Sequence, residues 1–418
     1  MTYHKFHVKD RIIKYDLLGV NMLLSERIKN VSPSPTIAIT AKSRAMVEQG
    51  IDIISFGAGE PDFDTPEFIT TACVKALKSG DTRYMPRKGS ALKQAIADKL
   101  KRENNLDYNA SQIIVTVGGK HALFAAFQAL INPGDKVAIP TPYWVSYPEQ
   151  VKFAGGEPIF LQTSPDSDFK ITPEQVLEAA NQGAKILIFN SPSNPSGKMY
   201  SPDEIKQIAQ AVKQTNLFVI SDEIYEKLIY NGNEFISFAS ACPELIDRTL
   251  IVNGLSKTFA MTGWRLGWAA GNQELISAMS KLLTHETTNP TSFAQAGALA
   301  AYTDPQSDVI VENMRQHFEK RSEIMWKKIN DLPGMTCVKP DGAFYCFADI
   351  TALFGKTIAG VEINNSLDLA DLILEKANVA TVPGVAFGED RCLRFSFATS
   401  VEKIEQGIDR IQKLLSQQ

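Results

Sequence analysis

The stretch Thr249-Leu250-Ile251-Val252-Asn253-Gly254-Leu255-Ser256-Lys257-Thr258-Phe259-Ala260-Met261-Thr262-Gly263-Trp264-Arg265-Leu266-Gly267 joins a short β-branched run to a loop that carries a lysine and an arginine. The run Thr249–Val252 reads as a buried strand, and Lys257 follows at its carboxyl end. Arg265 returns to the same pocket if the intervening residues loop. Taken alone, Lys257 and Arg265 are two cations beside a loop. Their neighbours give them meaning.

Outward from this stretch, residues 66–310 alternate β-branched runs with helical patterns, as a mostly parallel sheet covered by helices requires. The runs are Ile113–Val117, Lys136–Ile139, Ile186–Phe189, Phe218–Ile220, Thr249–Val252 and Trp268–Ala270. Ligands of such sheets sit beyond the strands' carboxyl ends. After residue 310 the pattern changes to a charged helix over Val311–Ile329, a Pro/Gly break at Leu332-Pro333-Gly334, several strands, and a closing helix over Val401–Leu415. The expected division is an extension over 1–21, a small α/β domain from 22–65 and 311–418, and a large domain over 66–310. A cleft is expected between the two domains.

Bulk composition narrows the partners. The 418 residues exceed what one core organises, about 250–300. A net charge of −4 favours neither nucleic acid nor an anionic membrane, so small molecules are the expected partners. Cys73, Cys242, Cys337, Cys346 and Cys392 are scattered, with no metal spacing, as in a reduced cytoplasmic protein. No metal site is expected. No run reaches the length of a membrane helix or a secretory signal's apolar core.

Other loops in the same register carry chemistry. Asp222, in Ser221-Asp222-Glu223-Ile224-Tyr225-Glu226, lies just past a strand; such an aspartate is a natural N-cap, and Asp222 and Tyr225 would share a face across one helical turn. Asn194, in Ser193-Asn194-Pro195-Ser196-Gly197, sits in a turn-forming segment. Gly118-Gly119-Lys120 opens a helix whose free amides suit an anion. Pro142-Tyr143-Trp144-Val145-Ser146-Tyr147-Pro148 is an aromatic loop that would equally fill a core. In Cys392-Leu393-Arg394-Phe395-Ser396-Phe397-Ala398-Thr399 the period of two puts Leu393, Phe395 and Phe397 on one face and Arg394, Ser396 and Ala398 on the other.

These segments, with Phe56-Gly57-Ala58-Gly59-Glu60-Pro61-Asp62 and Arg83-Tyr84, run in the order found in the class I pyridoxal-phosphate-dependent aminotransferases, and the chain resembles that family from about residue 31 to 400. Gly-Gly-Lys and Tyr-Trp-Val-Ser-Tyr-Pro bring it closest to the bacterial aspartate aminotransferase branch. The resemblance implies the α/β fold type I of pyridoxal-phosphate transferases, with a mostly parallel seven-stranded sheet in the large domain. It implies pyridoxal 5'-phosphate as cofactor, carried as a Schiff base on Lys257, which then moves the proton in catalysis. Gly118, Gly119, the Lys120 backbone and Arg265 would hold its phosphate. Asp222 would meet the pyridine nitrogen, Tyr225 and Asn194 the phenolic oxygen, and Trp144 the ring face. Arg394 and Gly59 would take the substrate carboxylate, near Asn194 and Trp144. Tyr84 would reach the cofactor phosphate of a partner subunit in a homodimer with shared active sites.

The implied reaction is ping-pong amino transfer from an L-amino acid, aspartate first, to 2-oxoglutarate, in the cytoplasm. Lys120 would pair with the distal carboxylate of an acidic donor. Glu286 stands where relatives have a small hydroxyl residue: pointing inward it would repel such a donor, and turned to solvent or to Lys120 it would not. Another fold type I reaction, or a preference for aromatic or other donors, would use the same cofactor contacts. A cofactor-binding transcription regulator lacks room ahead of Val31 for a DNA-binding domain. A nicotinamide dehydrogenase lacks its GxGxxG turn.

Overall fold

A computed structural model describes residues 23–33, 35–84 and 91–416, so the expected extension over 1–21 lies outside the described residues. Seven strands form the main sheet: β1 (Ile113–Thr116), β2 (Lys136–Pro140), β3 (Glu157–Leu161), β4 (Ala184–Asn190), β5 (Phe218–Asp222), β6 (Thr249–Gly254) and β7 (Gly267–Ala270). Their spatial order is β1-β7-β6-β5-β4-β2-β3, and only β7 runs against its neighbours. The fold is therefore the mostly parallel seven-stranded α/β architecture expected. β1 and β6 are buried along their whole length, which explains their uninterrupted apolar reading.

β3 is absent from the runs read off the sequence. Among the described residues it is an edge strand, paired to β2 alone, with Glu157 and Phe160 exposed and Pro158 within it. Edge strands carry such residues because one side of their backbone needs no partner.

Helix starts follow local chemistry. Ser201 and Thr172 each cap a helix in a reciprocal box with Glu204 and Gln175, with Pro202 and Pro173 in the first turn. The charged helix expected over Val311–Ile329 runs from Ser307 to Asn330, four residues earlier at its start, while the closing helix spans Val401–Leu415 as expected. Among the described residues, no helix is long and apolar enough to cross a membrane.

A second sheet is built from Thr336–Cys337, Tyr345–Asp349, Val382–Pro383 and Cys392–Ser396. Its core joins both ends of the chain: Ile54 and Phe56 pack with Phe318, Phe344, Leu393, Phe395 and Ile408. The expected apolar face of Leu393, Phe395 and Phe397 lies in that core, leaving Arg394 and Ser396 on the other face. Arg394 thereby turns toward the carboxyl ends of the large sheet.

Candidate active site

The cleft between the two sheets has a volume of about 610 Å³. β4 and β5 end side by side, with Asn190 in register with Asp222. Asn190 Nδ2 donates to the Asp222 carbonyl at 3.0 Å, and Asn190 Oδ1 accepts from Asn194 N at 3.0 Å. One amide thus fixes the Asn194 loop against the Asp222 strand end.

The reversal of β7 explains the Lys257–Arg265 loop. Gly254 and Gly267 face each other across β6 and β7, so the residues between them project beyond the sheet and bring both cations into one cleft. The close fit demands glycine. A Cβ on Gly267 would lie 2.3 Å from the Gly119 nitrogen, and one on Gly118, whose φ is +82°, would lie 2.6 Å from Arg265 Nη2. Gly118 therefore backs the guanidinium, while Gly119 and Lys120, in the first turn of the helix Gly119–Leu130, line the cleft. That turn leaves its leading amides without intrahelical acceptors.

Lys257 Nζ donates to the Gly59 carbonyl. Burial pushes its amine down to about 8, against the pull of Glu60 and Asp222 and with help from Arg394 and Arg265. Lys120, though exposed at the cleft mouth, is also lowered, by desolvation of its amine and by the nearby Arg265 cation, and its Nζ lies 4.9 Å from the centre of the Trp144 ring. Asp222 goes the other way. Burial lifts its carboxyl to about 6, opposed by hydrogen bonds from Tyr147 and the Ile224 amide.

Arg394 is 4% exposed. Its Nη1 donates to Asn194 Oδ1 at 2.9 Å and its Nη2 to the Gly57 carbonyl at 3.0 Å, while its buried Nε has no partner among the described residues. Among the described residues no carboxylate pairs with it. A buried guanidinium with an idle donor is built for an anionic ligand, since the unpaired charge is costly without one.

The expected residues therefore converge, with three qualifications. The segment after Asp222 is a turn, not the helix expected, and still brings Asp222 and Tyr225 to the cleft. Tyr84 is 83% exposed and does not line this chain's cleft. Glu286 neither lines the cleft nor pairs with Lys120: its Oε2 lies 3.0 Å from His121 Nε2. Val117 N–H donates to His121 Nδ1 at 3.2 Å, so a neutral His121 carries its proton on Nε2 and offers it to Glu286.

Residues not singled out in the sequence complete the site. Tyr147 donates to Asp222, and the Tyr345 hydroxyl lies 3.0 Å from that of Tyr225. The Tyr345 ring packs against the Arg394 guanidinium, 4.4 Å from ring centre to Cζ. Tyr147 lay inside an aromatic loop and Tyr345 inside an apolar strand; only the pairing of Tyr345 with Ser396, on the Arg394 face, reveals the latter. Arg44 and Asn190 line the cleft as well.

The residues fit pyridoxal phosphate. Among the described residues five cations line the cleft, Arg44, Lys120, Lys257, Arg265 and Arg394, against the carboxylates of Glu60 and Asp222. A depressed amine, a cradled arginine and a buried carboxylate match the aldehyde, phosphate and pyridine nitrogen of that group.

Comparison with known proteins agrees with this chemistry. The family model described as aminotransferase class I and II matches residues 51–411. An aspartate aminotransferase of Bacillus sp. (strain YM-2) is 47% identical over 395 residues, covering 94% of this chain and 99% of that relative. The crystal structure of the aspartate aminotransferase from Rhizobium meliloti superposes with a TM-score of 0.91 at 37% identity, covering 95% of this chain and 100% of the other. The Thermus thermophilus aspartate aminotransferase with maleate gives a TM-score of 0.88 at 40% identity, covering 94% and 99%.

Proposed function

The chain belongs to the class I and II aminotransferases, and from that premise we propose that it transfers the amino group of L-aspartate to 2-oxoglutarate with pyridoxal 5'-phosphate held on Lys257. The observation that carries the reading is the convergence, in one cleft, of the Lys257 amine, the buried Asp222 carboxylate and the unpaired Arg394 guanidinium. When bound, the cofactor supplies an electron sink for the charge left as the substrate Cα loses its proton.

The chain's own groups do the rest. Arg265 and the amides of Gly119 and Lys120, backed by Gly118, bind the phosphate. Asp222 would hold a proton on the pyridine nitrogen, Tyr225 and Asn194 would hydrogen-bond the phenolic oxygen, and Trp144 would lie against the ring. Arg394, with Asn194 and the Gly59 backbone, orients the substrate carboxylate. Lys257 would hold the cofactor's aldehyde carbon through Nζ and, when free, would take the proton from the substrate Cα, a role that its depressed basicity suits near neutral pH.

An acidic donor is supported by Lys120, a cleft-lining cation with no carboxylate on it among the described residues. Glu286 is engaged by His121, which favours the same donor. The Thermus thermophilus aspartate aminotransferase was solved with maleate, a dicarboxylate, which supports the same donor. Two lobes, residues 22–65 with 311–418 and residues 66–310, and a homodimer in which Tyr84 reaches the phosphate of the partner subunit's cofactor, belong to the same proposal. So does residence in the cytoplasm, which suits five free cysteines. The test is stoichiometry: aspartate and 2-oxoglutarate should give oxaloacetate and glutamate one for one. Ammonia or carbon dioxide released without glutamate would contradict the reading.

A further inference from the structure

The segment from Asp222 to Glu226 alternates between two environments. Asp222, Ile224 and Tyr225 line the cleft, whereas Glu223 and Glu226 are 2% and 7% exposed and find their partners behind it. Glu223 accepts from Ser221 Oγ and Ser237 Oγ, both at 2.8 Å. No regular ladder holds the turn beyond the strand end. Its backbone bonds are Glu223 N to Val252 O, Glu226 N to Glu223 O and Leu228 N to Tyr225 O. Side-chain anchors must therefore fix its depth.

Glu226 is the most connected of these anchors. Lys99 Nζ donates to its two oxygens at 2.5 and 2.6 Å, Asn253 Nδ2 to Oε1 at 2.8 Å, and Asn104 Nδ2 to Oε2 at 3.3 Å. Asn253 Oδ1 in turn accepts from Gly254 N at 2.7 Å, on the strand that leads into Lys257. One carboxylate thus ties the turn bearing Asp222 and Tyr225 to the strand before Lys257 and to the helix Ala91–Asn104. A buried ion pair adds little net stability over a well-packed apolar pair, so a knot of this kind points to geometry.

We propose that Glu226 is a positioning residue of the amino-transfer site, setting through Lys99 and Asn253 where Asp222 and Tyr225 stand relative to Lys257. The inference rests on the cofactor reading above. It assigns Glu226 no contact with cofactor or substrate. Its effect is on placement, and a displacement near 1 Å at a reacting centre can cost about 100-fold in rate.

The test compares Glu226→Gln, the double variant Lys99→Met/Glu226→Leu, and Lys99→Arg, each as reconstituted holoenzyme. For the first two, kcat with aspartate and 2-oxoglutarate should fall about 10- to 100-fold while KM for aspartate stays within about twofold, because Arg394 is held by Asn194 and the Gly57 carbonyl and makes no bond to Glu226, Lys99 or Asn253. Their bound cofactor should show a shifted absorption maximum and a raised Kd for pyridoxal phosphate. Lys99→Arg, which keeps the charge, should retain the wild-type spectrum. Glu226→Gln takes from the buried Lys99 its nearest carboxylate, leaving Asn104 Oδ1 at 2.8 Å and Glu103 Oε2 at 3.6 Å, so the double variant, which removes both charges of the pair, supplies the answer if the single one does not fold. A folded double variant with wild-type kcat, KM and spectrum would overturn the proposal, even if its melting temperature were lower. Wild-type protein that takes up no cofactor would instead overturn the reading beneath it.

Discussion

Tyr147 donates its hydroxyl to Asp222 Oδ2 at 2.7 Å, both side chains being buried. No cation pairs with that carboxylate among the described residues, and burial lifts it to about 6. An anion at this position is costly on its own, and a protonated ring nitrogen is the kind of partner that would offset the cost.

Asp222→Asn separates that cost from its use. With the folded carboxyl at about 6 and the ordinary value at 3.8, the folded state holds the proton longer, so apo-protein stability falls as pH rises from about 4 to about 6 and is level above. Asparagine keeps an acceptor for Tyr147 and removes the charge. Thermal melts of apo-protein should show Asp222→Asn stabilised at pH 7.5, by at most about 3 kcal/mol, and not at pH 4. Amino transfer by the variant should collapse. Equal stability at both pH values would contradict the burial argument.

Gly118→Ala tests the phosphate cradle. At φ +82° a side chain is strained, and its Cβ would lie 2.6 Å from Arg265 Nη2. The strain is about 1–3 kcal/mol, and the displaced guanidinium should raise Kd for pyridoxal phosphate at least about tenfold in equilibrium dialysis. An unchanged Kd would remove Arg265 from the phosphate site.

Arg394→Lys keeps the charge and loses the fork. KM for aspartate should rise about 10- to 100-fold with a smaller change in kcat, since the lost hydrogen bonds to a carboxylate are worth about 1.5–3 kcal/mol. Steady-state kinetics showing the reverse split would move Arg394 from substrate binding to chemistry.

Much of the site is legible in the sequence alone. Lys257, Asp222, Asn194 and Arg394 each follow or lie on an apolar run, and runs at the centre of a sheet read clearly because both faces are buried. What escaped did so for physical reasons. β3 is an edge strand with a mixed pattern. Tyr147 and Tyr345 look like core aromatics, and their function lies in one hydroxyl each, aimed by tertiary packing at Asp222 and Tyr225. The orientation of Glu286 depends on His121, 165 residues away in sequence, which no local pattern encodes.

Lys257 provides the pH dependence. With its amine at about 8 instead of 10.5, the neutral, nucleophilic form grows through the neutral range. Stopped-flow capture of pyridoxal phosphate by apo-protein should quicken about tenfold per pH unit up to about 8 and then level. A rise continuing to pH 10 would show an ordinary surface amine.

The most direct measurement is a spectral titration of the holoenzyme with aspartate, without any oxo acid, beside Lys257→Ala. Wild-type protein should carry a visible band from cofactor bound to its own amine, and aspartate should abolish that band while releasing one oxaloacetate per site. Lys257→Ala should show no such band and no oxaloacetate. A wild-type spectrum indifferent to aspartate, or a Lys257→Ala variant that still turns over, would contradict the assignment of Lys257 as the amine at the centre of this enzyme.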